Sequence, residues 1–322
     1  MTPFVSIIIP VKEVNDYIRE SMAHIQALDY KDFEVIIFPD SPSDDSFPKT
    51  RIIPTGPVGP AEKRDQARLY ARGEIFAFLD DDAYPRKDWL QKAVRHFNDQ
   101  NVAAVGGPAV TPEHDSVWQR ASGRVFSSWL ASGNYGYRYM PEKEREVDDF
   151  PTVNLIIRRS AFEEAGGFDT AYWPGEDTKL CLDLTKKLGK KIIYDPRVFV
   201  FHHRRPLFLE HLKQVGRYAF HRGYFAKVLP ETSMRLPYFI PSLFVLWLLL
   251  GGPISIVSGP FMIFYLGVLS IYFMLLISES VLITLKERDP LVGALSMPGI
   301  FFTHLIYGLR FMQGISSKGA KR

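Results

Sequence analysis

Two apolar runs, residues 237–257 and 261–285, constrain this chain more than any other feature. Each reaches the length of about 20 residues that a helix needs to cross a bilayer. In hydrocarbon every backbone N–H and C=O must be satisfied within its own segment, so both runs have to be helices. A short Gly/Pro/Ser break separates them, which makes them a hairpin. A buried core helix would be the bland reading of one such run, but two in succession argue against it. A third segment, 290–312, is interrupted by Pro298, His304 and Arg310 and is expected to be re-entrant or interfacial. The chain therefore divides into residues 1–230, a water-facing domain, and residues 231–322, a C-terminal membrane region.

Sidedness follows from charge. Residues 186–227 hold eleven Lys and Arg against two acids, Asp195 and Glu210. Basic residues beside a span are drawn to anionic lipid and mark the inner face. Nucleic acid is the competing partner for a basic patch; the position directly before the spans favours membrane and excludes nucleic acid. If the N-terminal half is cytosolic, the second span returns Lys286 and Arg288 to the inside. A full third span would put Lys318, Lys321 and Arg322 outside, against that rule. The first apolar stretch, 4–9, is short and β-branched with no basic residue before it, so it reads as a strand and not a signal peptide. One cysteine, Cys181, permits no intrachain disulfide and suits a reducing compartment. The expectation is a multi-pass protein of the inner membrane with a cytoplasmic N-terminal domain.

Residues 1–230 alternate buried-strand runs (5–9, 33–38, 74–79, 102–105) with helical stretches (15–28, 61–71, 89–97), which predicts βαβ units and a mainly parallel α/β sheet. The run Phe76-Ala77-Phe78-Leu79-Asp80-Asp81-Asp82 is a buried strand that ends in three carboxylates. Ligands of open α/β sheets sit beyond the carboxyl ends of strands, and hard cations take carboxylate oxygens while bridging to phosphates. A metal–diphosphate site fits; a solvated Asp-rich turn is the alternative. Glu176 and Asp177 open a helix after Gly175, where the dipole favours ionised carboxylates, for capping or as a general base. His202 and His203 end the last strand before the membrane, and imidazole can complete a metal shell.

In combination these segments resemble an inverting family 2 glycosyltransferase with the GT-A fold, a Rossmann-like catalytic domain, here followed by transmembrane helices. The resemblance runs in order through most of residues 4–230. The opening strand leads to Glu13; Phe38-Pro39-Asp40-Ser41 stands where the family has Val-Asp-Asp-Gly; Lys63-Arg64-Asp65 resembles Ala-Arg-Asn; residues 79–89 resemble the Asp-x-Asp region. Further matches fall at Asn154, Arg158-Arg159, Gly166-Gly167-Phe168-Asp169 and Glu176-Asp177. The stretch from Gln214 to Tyr218 is similar to the Gln-x-x-Arg-Trp motif of membrane polysaccharide synthases, with Tyr for Trp. The resemblance implies that Glu13, Asp40, Arg64 and Asp80 contact a nucleotide-sugar, a UDP-sugar by first choice. It implies that Asp82 with His202 or His203 binds Mn²⁺ or Mg²⁺, His202 being preferred, and that Asp177 is the catalytic base. Glu176, Gln214, Arg217 and Tyr218 would meet the acceptor or a diphosphate. The implied acceptor is a polyprenyl phosphate or polyprenyl-diphosphate-linked saccharide held in the membrane. Two other readings stay open: a processive polysaccharide synthase, which two or three spans serve poorly as a channel, and a catalytically inactive adaptor that only binds nucleotide-sugar. A nucleotidyltransferase would carry a Gly-rich loop after its first strand, and residues 10–15 contain no Gly.

Overall fold

The computed structural model describes residues 2–319, so Lys321 and Arg322, part of the sidedness argument, lie outside the described residues. The chain forms two compact units: Met1–Val110 with Tyr137–His203, and Thr111–Gly136 with Arg204–Arg322. Residues 111–136 thus belong with the second unit, which resumes at Arg204.

In the first unit, β1 (Val5–Pro10), β2 (Phe33–Phe38) and β4 (Ile75–Leu79) are buried at every position, as strands covered on both faces must be. With β3 (Thr50–Ile52), β6 (Val102–Gly106), β8 (Arg145–Val147), β9 (Asn154–Arg158) and β10 (Lys191–Tyr194) they make an eight-stranded sheet in the order β3-β2-β1-β4-β9-β6-β10-β8. The block β3-β2-β1-β4 is parallel, but β9 runs antiparallel to both β4 and β6, and β8 antiparallel to β10. The sheet is mixed, where βαβ alternation alone suggested a mainly parallel one.

A second sheet holds β5 (Ala83–Pro85), β11 (Val200–His202), the strand expected before the membrane region, and β7 (Ala109–Val110); β5 and β7 are too short to read from periodicity. Its register sets His202 opposite Ala83, directly after the acidic run. Asn154 locks the two sheets: it accepts from Trp89 Nε1 and donates to the carbonyls of Gly107 and Val198, all at 2.8 Å. Gly107 has no room for a side chain there, since a Cβ would lie 1.7 Å from the Val198 carbonyl oxygen.

Helix Asp16–Gln26 is capped by Asn15, whose side chain accepts from Ile18 N at 3.0 Å. The helix expected over 61–71 is two short helices, Pro60–Asp65 and Ala67–Tyr70. The helix expected to open at Glu176 and Asp177 is Glu176–Leu182, continued by a π turn, Asp183–Lys187.

The second unit contains helix Val117–Ser127, started by a Ser116/Gln119 capping box, and the 20-residue helix Leu209–Val228. Three apolar helices follow: Leu236–Val257, Gly259–Glu287 and Pro290–Ser316, each long and apolar enough to cross a membrane. The third continues through Pro298 without a break, so the segment contains no re-entrant turn.

Candidate active site

The site collects at the ends of β4 and β11, both in the first unit. Because β5 turns back beside β11, Asp82 Oδ1 comes within 3.0 Å of His202 Nε2. Asp80, Asp82 and His202 place one ligand atom each within 4.8 Å of one another. Two carboxylates and an imidazole form a hard oxygen-and-nitrogen set that suits Mn²⁺ or Mg²⁺. Asp81, the middle residue, is mostly buried. Burial, then the Asp82 and Asp80 charges, push its carboxyl up to about 7, against a hydrogen bond from the Asn15 side chain. Like charges held this close favour a proton or a cation among them.

His203 lies outside this group. Successive strand residues face opposite sides, and its Nε2 sits 2.9 Å from Glu20 Oε2 with its ring 4.7 Å from that of Tyr17. Of the two histidines, the strand end gives only His202 to the aspartates.

Arg64 ties the acidic run to the second carboxylate pair. Its Nη2 donates to Asp80 Oδ1 at 2.7 Å and its Nη1 to Glu176 Oε1 at 3.1 Å. Burial opposes the Arg64 charge, but Asp80, Glu176 and Asp177 outweigh it and hold its pKa above the ordinary value. Among the described residues, Arg64 Nε is one of several buried donors without a hydrogen-bond partner.

Glu176, expected to meet acceptor or diphosphate, is instead buried. Its Oε2 accepts from Gly175 N at 3.0 Å while Oε1 takes Arg64. Burial and the adjacent Asp177 charge push it up to about 7 despite that guanidinium. Its carboxylate is bonded to the Arg64 guanidinium. Asp177 is only half-buried, with Oδ1 accepting from Thr178 N at 2.7 Å.

Glu13 is exposed in the loop after β1. Asp40 pairs with Lys63, whose Nζ also reaches the Val11 carbonyl. Sequence reasoning passed over Lys63 as a site residue, although a lysine buried beside Arg64 holds the β1 and β2 ends together. Asn15, read from sequence only as the start of a helical stretch, also bonds through its side chain to Asp81. Asp65, within the Lys63-Arg64-Asp65 match, is structural: it accepts from Phe168 N at 3.1 Å.

Gln214, Arg217 and Tyr218 lie in the second unit, toward one open face of helix Leu209–Val228, where Gln214 Nε2 donates to Tyr218 Oη at 3.0 Å.

Residues 6–166, half of the chain, match the family Glycosyl transferase family 2. The pre-mycofactocin glycosyltransferase of Mycobacterium tuberculosis is 30% identical over 51% of this chain and 34% of that protein. The chain thus aligns with about a third of that relative's length. A Methanococcus voltae protein, dolichyl N-acetyl-alpha-D-glucosaminyl phosphate 3-beta-D-2,3-diacetamido-2,3-dideoxy-beta-D-glucuronosyltransferase, is 23% identical over 97% of both chains. The glucosyl-dolichyl phosphate glucuronosyltransferase of Haloferax volcanii is 26% identical over 45% of this chain and 47% of that one. Among solved structures, a mannosyltransferase from Pyrobaculum calidifontis in complex with GDP-Man and Mn²⁺ superposes with a TM-score of 0.51 at 23% identity, over 71% of this chain and 65% of that chain. That likeness shows the GT-A fold.

Proposed function

Because the chain belongs to glycosyl transferase family 2, we propose that it transfers a sugar from a nucleotide-sugar to a lipid-linked acceptor at a membrane, with inversion at the anomeric carbon. The observation that carries the reading is the convergence of Asp80, Asp82 and His202, joined through Arg64 to Glu176 beside Asp177. The acceptor class is supported by the dolichyl phosphate-linked substrates in the names of the Methanococcus and Haloferax relatives, and by the three apolar helices. A UDP-sugar is the first donor to test and a GDP-sugar the second, since the Pyrobaculum neighbour was solved with GDP-Man.

Asp82 and His202 would hold a divalent cation, with Asp80 beside it. When bound, that cation supplies Lewis-acid stabilisation of the departing diphosphate. The protein's own residues do the rest. Arg64, held by Asp80 and Glu176, would keep those two carboxylates in place at the edge of the donor site. Asp177 takes the proton of the acceptor hydroxyl as its oxygen attacks the anomeric carbon. The bond from that carbon to the diphosphate oxygen breaks, and its electron pair leaves with the nucleoside diphosphate. Attack from the far side inverts the carbon without a covalent enzyme intermediate. Gln214, Arg217 and Tyr218 are assigned to a phosphate of the lipid.

The test is incubation of membranes with a panel of labelled nucleotide-sugars, with and without Mn²⁺, followed by lipid extraction. The reading expects label in the organic phase from one donor, lost with EDTA and with Asp177→Asn. Label from none of the panel, with intact donor binding, favours the adaptor.

A further inference from the structure

The third apolar helix, Pro290–Ser316, has the length of a span and the wrong neighbours for one. Helix Leu209–Val228 runs beside its C-terminal half. His211 Nε2 lies 3.0 Å from Thr303 Oγ1, Gly216 faces Ile306, Gly223 faces Phe311, and Lys227 reaches the Ser317 carbonyl. Both sequences of contacts ascend together, so the helices are parallel. They are also almost backbone to backbone. A Cβ on Gly223 would lie 2.1 Å from the Phe311 carbonyl oxygen, and one on Gly314 would lie 2.0 Å from that of Phe220. Along this length helix Leu209–Val228 keeps Lys213, Arg217 and Lys227 exposed. Such charges do not face lipid at bilayer depth.

The first half of the third helix is flanked in the same way. Leu207 and Val125 pack on Gly299, the middle of the helix, and Leu207 is two residues from exposed Arg205. At its start, Arg120 Nη2 holds Glu287 at 2.8 Å, Arg120 Nη1 holds Asp289 at 3.0 Å, and Arg124 pairs with Glu287. A spanning orientation would carry Arg205 and Lys213 to mid-bilayer. To one side of that packed face Leu291, Phe302 and Leu309 are exposed and, at 100° per residue, fall within about 20° of one another, on a line that ends at exposed Gln313 and Ser316.

The first two helices differ. No charged residue occurs between 236 and 278. Phe244, Tyr272, Phe301 and His304 meet at one node. On the far side of the node the hairpin closes on itself through Trp247 against Phe261, Phe264 and Tyr265.

We propose that only Leu236–Val257 and Gly259–Glu287 cross the membrane, while Pro290–Ser316 lies along its surface. In this arrangement Leu291, Phe302 and Leu309 dip into the headgroup layer, and the C-terminus stays on the side of residues 111–136. Those residues leave the first unit and return to it through an 11-residue helix that is too short to cross. Interfacial helices bind in this way, with an apolar stripe in lipid and a polar face above it.

The test reads sidedness and stands apart from the transfer reaction. Lys143→Cys, Gly259→Cys and Lys318→Cys are made one at a time in the full chain, whose single native cysteine is buried. Each is treated with a membrane-impermeant maleimide before and after permeabilisation. The proposal expects Lys318→Cys to label from the same side as Lys143→Cys, and Gly259→Cys from the opposite side. Labelling of Lys318→Cys together with Gly259→Cys overturns it. Should a variant fail to insert, a C-terminal phosphatase or fluorescent reporter on the otherwise unaltered chain decides the same question.

Discussion

The two units bury polar groups for opposite ends. In the first, carboxylates are gathered at strand tips and only partly neutralised: Arg64 serves both Asp80 and Glu176, and Asp81 is crowded by its neighbours. In the second, the buried imidazole of His211 is bonded on both nitrogens and neutral. His211 sits between Ser122 Oγ at 2.8 Å and Thr303 Oγ1 at 3.0 Å, and burial, then the Arg204 charge, lower it to about 4. One unit stores charge for a ligand to relieve; the other uses polar bonds and glycines to bring helices together.

The largest effect that could break this contrast is catalytic. Asp177→Asn should lower transfer by about 10²–10⁴-fold, the worth of a positioned base, with nucleotide-sugar binding nearly unchanged by titration calorimetry. Equal loss of binding would place Asp177 with the structural carboxylates. Next comes packing. Gly314→Val in the second unit forces two helices apart against the Phe220 carbonyl, and Gly107→Ala in the first drives a methyl into that of Val198. Each should cost at least about 1–3 kcal/mol, the usual range for overpacking, measured as a fall in unfolding midpoint in detergent. Only the Gly314 variant should also loosen the three apolar helices in hydrogen exchange.

The pH dependence then separates the units by sign. Glu176 is raised from 4.5 to about 7, so the folded state holds a proton that the unfolded state has lost, and stability falls as pH climbs from about 4.5 to 7. His211 is lowered from 6.5 to about 4. Its contribution is complete above 6.5 and is lost as pH falls toward 4. Each amounts to roughly 3 kcal/mol at most. Glu176→Gln should flatten the first slope and His211→Gln the second, read from unfolding midpoints across pH 4–8. The smallest effect belongs to the exposed Lys213–Glu210 pair: Lys213→Gln should leave the midpoint within error, since surface ion pairs contribute little.

Much of this was legible in the sequence. An apolar strand ending in three aspartates points to its own candidate site, and the two long apolar runs mark two consecutive apolar helices. What stayed hidden needs tertiary knowledge. Strand direction leaves no periodic trace, so antiparallel β9 could not be seen. Strands of two or three residues such as β5 and β7 carry too few side chains to show alternation, yet the pairing of β5 with β11 brings His202 to Asp82, while His203 meets Glu20. Glu176 and Asp177 are adjacent carboxylates in the sequence; only the fold shows that Glu176 is buried against Arg64 while Asp177 is half-buried. The helix Val117–Ser127 was obscured because its apolar face is completed by helices more than 150 residues away.

The most direct test is a manganese anomalous difference map from crystals soaked with a nucleoside diphosphate and Mn²⁺. The account predicts one peak bound by Asp82 and His202 at roughly 2.0–2.3 Å, touching the diphosphate, with Asp177 across the donor pocket. A peak held by other residues, or a diphosphate bound with Asp82 turned away, would contradict it.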